Sequence, residues 1–87
     1  MTVFVLPRDD SGPTRLGIAA TRKLGNAVVR NRAKRLVRET FRRHTHPPGL
    51  DIVVIPRAAL LDAPWQDIEA EYAACVGRRT RRSRPQR

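Results

Sequence analysis

The 87-residue chain carries eighteen Lys and Arg against eight Asp and Glu, a formal net charge of +10, with 40% hydrophobic and 5% aromatic residues. This length supports one domain with a modest core, and so one-sided a charge points to a polyanionic partner, nucleic acid first. A lone cysteine, Cys75, excludes an internal disulfide and a cysteine-rich metal site; no stretch nears the ~20 apolar residues of a membrane span, and no signal peptide precedes Pro7, so a reducing, cytoplasmic setting is expected.

Val3, Phe4, Val5 and Leu6 form a short apolar run ended by Pro7 and predict a strand, with Phe4 expected in the core. Residues 9–14 are dense in turn formers, and Asp9 and Asp10 there read as turn chemistry rather than a metal site. Residues 15–21 predict a second strand, and the short loop between suggests an antiparallel hairpin of the two. Gly25 suits a turn and Asn26 a helix N-cap. A long helix then runs from about residue 27 to about residue 43, stopped by Pro47, Pro48 and Gly49.

His44 and His46 sit in that Pro-rich stop without partners for metal ligation, and exposed loop histidines are expected. Residues 51–55 give the clearest strand, an acid followed by four apolar β-formers and closed by Pro56. Strand, helix, strand predicts a βαβ unit in one sheet. Residues 57–63 connect, with at most a helical turn, and Pro64 opens a last helix reaching about Val76, with Gly77 as its C′ residue. Trp65, Ile68, Tyr72, Cys75 and Val76 repeat at helical spacing and form its buried stripe, the Tyr72 hydroxyl reaching water. The domain thus spans residues 1–77; residues 78–87, with six Arg and no acid, predict a disordered basic tail.

The long helix has two dedicated faces. At 100° per residue Val29, Ala33, Leu36, Val37, Thr40 and Phe41 share one arc, suited to a core. Arg30, Asn31, Lys34, Arg35, Arg38 and Arg42 share another. Like charges four residues apart repel, so a polyanion is expected to offset that repulsion; a solvated charged face would mix signs, and Glu39 alone does not mix this one. Arg22 and Lys23 extend the patch, and Asn31 among the cations offers an amide to a base edge or a 2′-hydroxyl. No paired carboxylates, no Ser-His-Asp set and no Gly-rich phosphate loop occur, so no catalytic residue is assigned.

The segment KLGNAVVRNRAKRLVRE at residues 23–39, with Arg30, Asn31 and Arg32 at its centre, closely resembles the signature of the bacterial ribonuclease P protein subunit and its "RNR" motif. The flanking segments GIAATR at residues 17–22 and DIVVIPR at residues 51–57 resemble that family's strands, and the likeness covers residues 2–77. It implies an α+β fold, a small α/β sandwich with a central sheet and an uncommon left-handed βαβ crossover, against the usual hand. It implies an RNA-binding accessory subunit of ribonuclease P, an endoribonuclease whose RNA subunit removes the 5′ leader of precursor tRNA by Mg2+-assisted hydrolysis. The partners implied are the catalytic RNA and precursor tRNA, with no DNA, no membrane and no cofactor held by protein side chains.

By position, Arg30, Asn31, Arg32, Lys34, Arg35 and Arg38 match the motif and are assigned to contacts with the catalytic RNA and the proximal leader. Arg22 and Lys23 extend that surface, Arg42 joins it by helical geometry, and Phe4 or Leu6 is assigned to the leader cleft. The family's pattern also implies a basic segment and an aromatic-bearing helix ahead of the first strand, where this chain has Met1. A late start codon, a trimmed chain and a truly absent helix all fit; without that helix, lower stability and weaker leader discrimination are expected. Two other binding classes remain, a plain RNA- or ribosome-binding module and a DNA-binding protein whose basic helix enters a major groove; a self-sufficient protein nuclease is the least favoured, for want of a catalytic constellation. Stimulation of precursor cleavage separates the first, and preference for structured RNA over duplex DNA the second.

Overall fold

The computed structural model describes the backbone of residues 1–83 and side chains through Gly77. Strands β1 (Thr2–Pro7), β2 (Arg15–Ile18) and β3 (Leu50–Ile55) form one sheet; helices α1 (Ala27–Arg43), α2 (Ala59–Asp62) and α3 (Trp65–Ser83) complete the fold, with a 3-10 turn at Arg22–Leu24. The sheet order is β1-β3-β2: β1 runs antiparallel to β3, and β2 parallel to it. The βαβ unit of β2, α1 and β3 is therefore present. The expected hairpin of β1 with β2 is not, because β3 lies between them. β3 takes the centre, where both of its edges find ladder partners.

The loop joining β1 to β2 crosses the end of β3 and is fastened there. Arg8 N–H donates to the Gly49 carbonyl and Gly49 N–H to the Gly12 carbonyl, each at 2.7 Å. The Arg8 guanidinium donates to the Leu50 carbonyl at 2.8 Å and to carboxylate oxygens of Asp51 and Asp10 at 2.9 Å each. Asp51 also accepts from Arg15 Nε at 2.9 Å. These partners hold both carboxyls below the usual range, Asp10 through Arg8 first and the Gly12 N–H next, Asp51 through Arg15 above all. Asp10 thus belongs to loop construction.

Alternation along the strands sorts the two faces of the sheet. Val3, Val5, Ile52 and Val54 are buried and meet Ala33 and Val37 of α1 and Ile68, Tyr72 and Val76 of α3 in one core. Both long helices therefore cover the same face. The β1–β3 register aligns Phe4 with Val53 and Leu6 with Asp51, and the β2–β3 register aligns Gly17 with Val53, so these residues share the opposite, uncovered face. Phe4 is 42% exposed and Leu6 51%. The core position expected for Phe4 is thus corrected: Val3 and Val5 hold the inward phase, and period two sends Phe4 outward.

Three further expectations change at α1 and α3. The Tyr72 hydroxyl does not reach water: Tyr72 is fully buried, and its oxygen lies 2.8 Å from His46 Nε2. The histidines are not simple exposed loop residues. His46 stacks on Phe41 at 4.4 Å, and His44 meets Tyr72 edge-on at 5.0 Å with its Nδ1 3.0 Å from the Thr40 carbonyl. Burial, with the nearby His44 second, pushes the His46 pKa down, and burial pushes that of Tyr72 up. Nor does α3 stop at Gly77; it continues to Ser83 and takes the first residues of the expected tail. One glycine costs a helix only ~1 kcal/mol, so Gly77 does not end it. The remainder of that tail, residues 84–87, lies outside the described residues.

Candidate nucleic-acid interface

The interface begins at the turn that launches α1. Gly25 has φ 149°, and a Cβ there would stand 2.9 Å from Val29 Cγ1. Only glycine meets both demands comfortably. Asn26 then caps the helix, its side-chain oxygen accepting from Val29 N–H at 3.0 Å, which settles one of the four orphan donors of a helix start. The apolar arc sets the rotation of α1: Ala33, Val37 and Thr40 are buried, and the Thr40 hydroxyl returns to the Leu36 carbonyl at 2.8 Å. With that arc on the sheet, helical phase turns Asn31, Arg35, Arg38 and Arg42 away from the core, and all four are exposed.

The cations of this surface divide by what already holds them. Arg30 donates to the Gly25 carbonyl at 3.4 Å, and Arg32 to the Leu61 carbonyl of α2 at 3.3 Å, so Arg32 points toward the connector rather than along the outward stripe. Arg42 and Arg43 share the Glu39 carboxylate, Arg43 through its Nε at 3.0 Å, and Arg43 also lies over the Trp65 ring at 5.1 Å. Arg43 first and Arg42 second hold the Glu39 carboxyl below its ordinary range. Among the described residues Lys34, Arg35 and Arg38 have no hydrogen bond or ion pair, nor do the side chains of Arg22 and Lys23 in the 3-10 turn. These five are the cations available to an external anion without breaking an internal contact.

The uncovered sheet face supplies a second surface. A groove of about 340 Å3 runs along it, lined in part by Leu6, Arg15, Gly17, Asp51 and Val53. Gly17 contributes no side chain to it, and the Arg15–Asp51 ion pair, at 2.9 Å, is part of its lining. Phe4 stands on the same face but is not among the groove's lining residues. Sequence inspection singled out neither Arg15 nor Asp51 for this surface; alternation from the buried Ile52 and Val54 is the signal that locates them. Val28, 76% exposed, likewise escaped notice beside Asn31 and Arg35 on the outer face of α1. Among the described residues no three His, Cys, Asp or Glu side chains converge to hold a metal ion, and no helix is long and apolar enough to cross a membrane.

Comparison with known proteins fits this arrangement. The family model described as Ribonuclease P matches residues 1–80. A relative named Ribonuclease P protein component from Symbiobacterium thermophilum is 52% identical over 68 residues, 76% of this chain and 59% of that protein. One of the same name from Clostridioides difficile is 35% identical over 81 residues, 90% of this chain and 70% of its own. The chain thus spans between about half and two thirds of the length of most such relatives, 59% of the first named here. The structure of the RNase P protein from Thermotoga maritima superposes with a TM-score of 0.75 at 36% identity, covering 87% of this chain and 74% of that one. By a match over nearly its whole length, and by its shared α+β fold, the chain belongs to the Ribonuclease P family.

Proposed function

We propose that this protein is the RNA-binding subunit of a cytoplasmic ribonuclease P, docking α1 on a catalytic RNA and receiving the 5′ leader of precursor tRNA on its uncovered sheet face. The observation that carries this reading is the division of the cations. Lys34, Arg35 and Arg38 stand on one helix with no internal partner among the described residues, beside a sheet face that keeps Phe4 and Leu6 in solvent.

The physical task is to bring two polyphosphate surfaces together. Each resists the other's approach, and a +10 chain between them lowers that repulsion while releasing condensed counterions. Arg22, Lys23, Lys34, Arg35 and Arg38 take phosphates; Asn31, exposed among them, takes a base edge or 2′-hydroxyl at close range. Arg30, Arg32 and Arg42 act partly by holding the turn, the connector and Glu39 in place, and add positive field. On the sheet face a single strand lays bases against Phe4, Leu6 and Val53, the aromatic ring supplying a stacking platform. Mg2+ serves the RNA-borne hydrolysis and is held by phosphates; this chain contributes no catalytic side chain, and its effect is a lower divalent requirement.

Reconstitution with a bacterial ribonuclease P RNA tests the reading. Cleavage of precursor tRNA should proceed at a lower Mg2+ concentration with the protein than without it, and Phe4→Ser should weaken binding of precursor more than of mature tRNA. An identical Mg2+ dependence with and without protein would refute the reading, as would tighter binding to duplex DNA than to the RNA at matched salt.

A further inference from the structure

A third surface lies between these two and belongs to neither role. Where the β2 edge meets α1, a cleft of about 450 Å3 is lined by Leu16, Arg35, Arg38, Glu39, Phe41 and Arg42. Its floor is hydrocarbon: Leu16 and Phe41 are only partly buried against the core, and one face of Phe41 rests on His46. Its rim is charged, with Arg35 and Arg38 unpaired among the described residues and Glu39 fixed by Arg43 and Arg42.

This lining is wrong for a phosphate and right for a base. A phosphate on the floor would lose its water against Leu16 and Phe41 and face the Glu39 carboxylate, two unfavourable terms. A planar base covers the apolar floor, leaves its own phosphate outside on Arg35 and Arg38, and offers an exocyclic amino group to Glu39. Carboxylates accept from such amines in base recognition, and unpaired, splayed bases are what sequence-selective RNA contacts use. The arrangement also gives the sole acid of the basic helix a task that its repulsion of phosphate would otherwise oppose.

We propose that this cleft seats one unpaired, amino-bearing nucleobase of the catalytic RNA. The proposal rests on α1 as the RNA-docking helix. Five of the six lining side chains belong to α1, so the strand that supplies the base is the one docked there. Leu16 borders the sheet-face groove as well, which makes the precursor leader the competing source.

Chemical footprinting of a bacterial ribonuclease P RNA, using dimethyl sulfate and a carbodiimide to read all four unpaired bases, tests it with the full-length protein. Without precursor, the wild-type chain should protect one unpaired A, C or G. Leu16→Lys should expose that base again and bind the RNA roughly tenfold more weakly, the scale of one lost base stack, although it adds a positive charge. Leu16→Ala, which leaves charge unchanged, should expose it in part and decides the matter should Leu16→Lys fail to fold by thermal unfolding.

Tighter binding by Leu16→Lys with an unchanged footprint would overturn the proposal, because a purely electrostatic surface predicts that result. Protection of a leader base that appears only with precursor present would also overturn it. If the wild-type chain fails to bind the RNA, the docking reading falls with it; if it binds but protects no Leu16-dependent base, only the base site falls.

Discussion

Replacing Arg35 and Arg38 together by Ala should flatten the salt dependence of RNA binding by an amount that the contacts of α1 fix in advance. Both guanidiniums are exposed and unpaired among the described residues, so each is free to neutralise one phosphate in the complex. One neutralised phosphate contributes about 0.9 to the slope of log K against log salt on a duplex and about 0.7 on a single strand. The double variant should therefore lose about 1.4 to 1.8 of slope. Over a fourfold rise in salt, the wild type should give up roughly tenfold more affinity than the variant. Arg42→Ala is the internal contrast. Its charge is already balanced in part by Glu39, which Arg43 also holds, so its slope change should fall below that of either free cation. Fluorescence anisotropy with a labelled ribonuclease P RNA at constant Mg2+ measures all three slopes. Parallel lines for wild type and the double variant would refute the reasoning, as would a slope loss for Arg42→Ala equal to half that of the double variant.

Further outcomes follow from the fold. Tyr72→Phe removes the hydroxyl that meets His46 inside the core, and should cost about 0.5–1.5 kcal/mol in urea unfolding with α1 and its RNA affinity retained. Burial depresses the His46 pKa, so the unfolded chain binds that proton more tightly than the folded one. Stability should hold above the ordinary histidine range near 6.5 and decline as pH falls below it, and His46→Gln should flatten that segment of the curve. The lowered carboxyls of Asp10, Asp51 and Glu39 place a separate loss below about pH 4. Gly49→Ala should be the harshest small substitution: φ is +81°, and the new Cβ would stand 2.5 Å from the Asp10 carbonyl oxygen, costing about 2 kcal/mol or more and lowering the thermal midpoint.

Where one period governs a segment, sequence sufficed. The 3.6-residue arc of α1 located its buried and cationic faces, and the apolar run at residues 52–55 marked β3 as a strand, though not as the central one. Failures came where the deciding partner is remote in sequence. Nothing in residues 3–18 tells that β3, more than thirty residues on, will stand between the first two strands. Phe4 looked like core because the run around it is apolar on both phases; pairing with β3 puts it on the face that neither α1 nor α3 covers. His46 and Tyr72 are 26 residues apart, and their contact has no local signature. The cationic stripe was legible as charge, but its division into engaged and available groups depended on where Leu61, Gly25 and Trp65 came to lie.

The position of β3 also sets an order of events during synthesis. The first two strands do not touch each other, so a growing chain that has not yet exposed residues 50–55 has no sheet at all. At that stage α1 is already made, with its apolar arc uncovered and its cations in place. Loop closure across that span must precede any strand pairing. The nascent chain therefore offers a charged amphipathic segment to the polyanion-rich surroundings of the ribosome before it has a core; emergence of one six-residue strand permits the sheet, and only the arrival of Ile68, Tyr72 and Val76 on α3 completes the core.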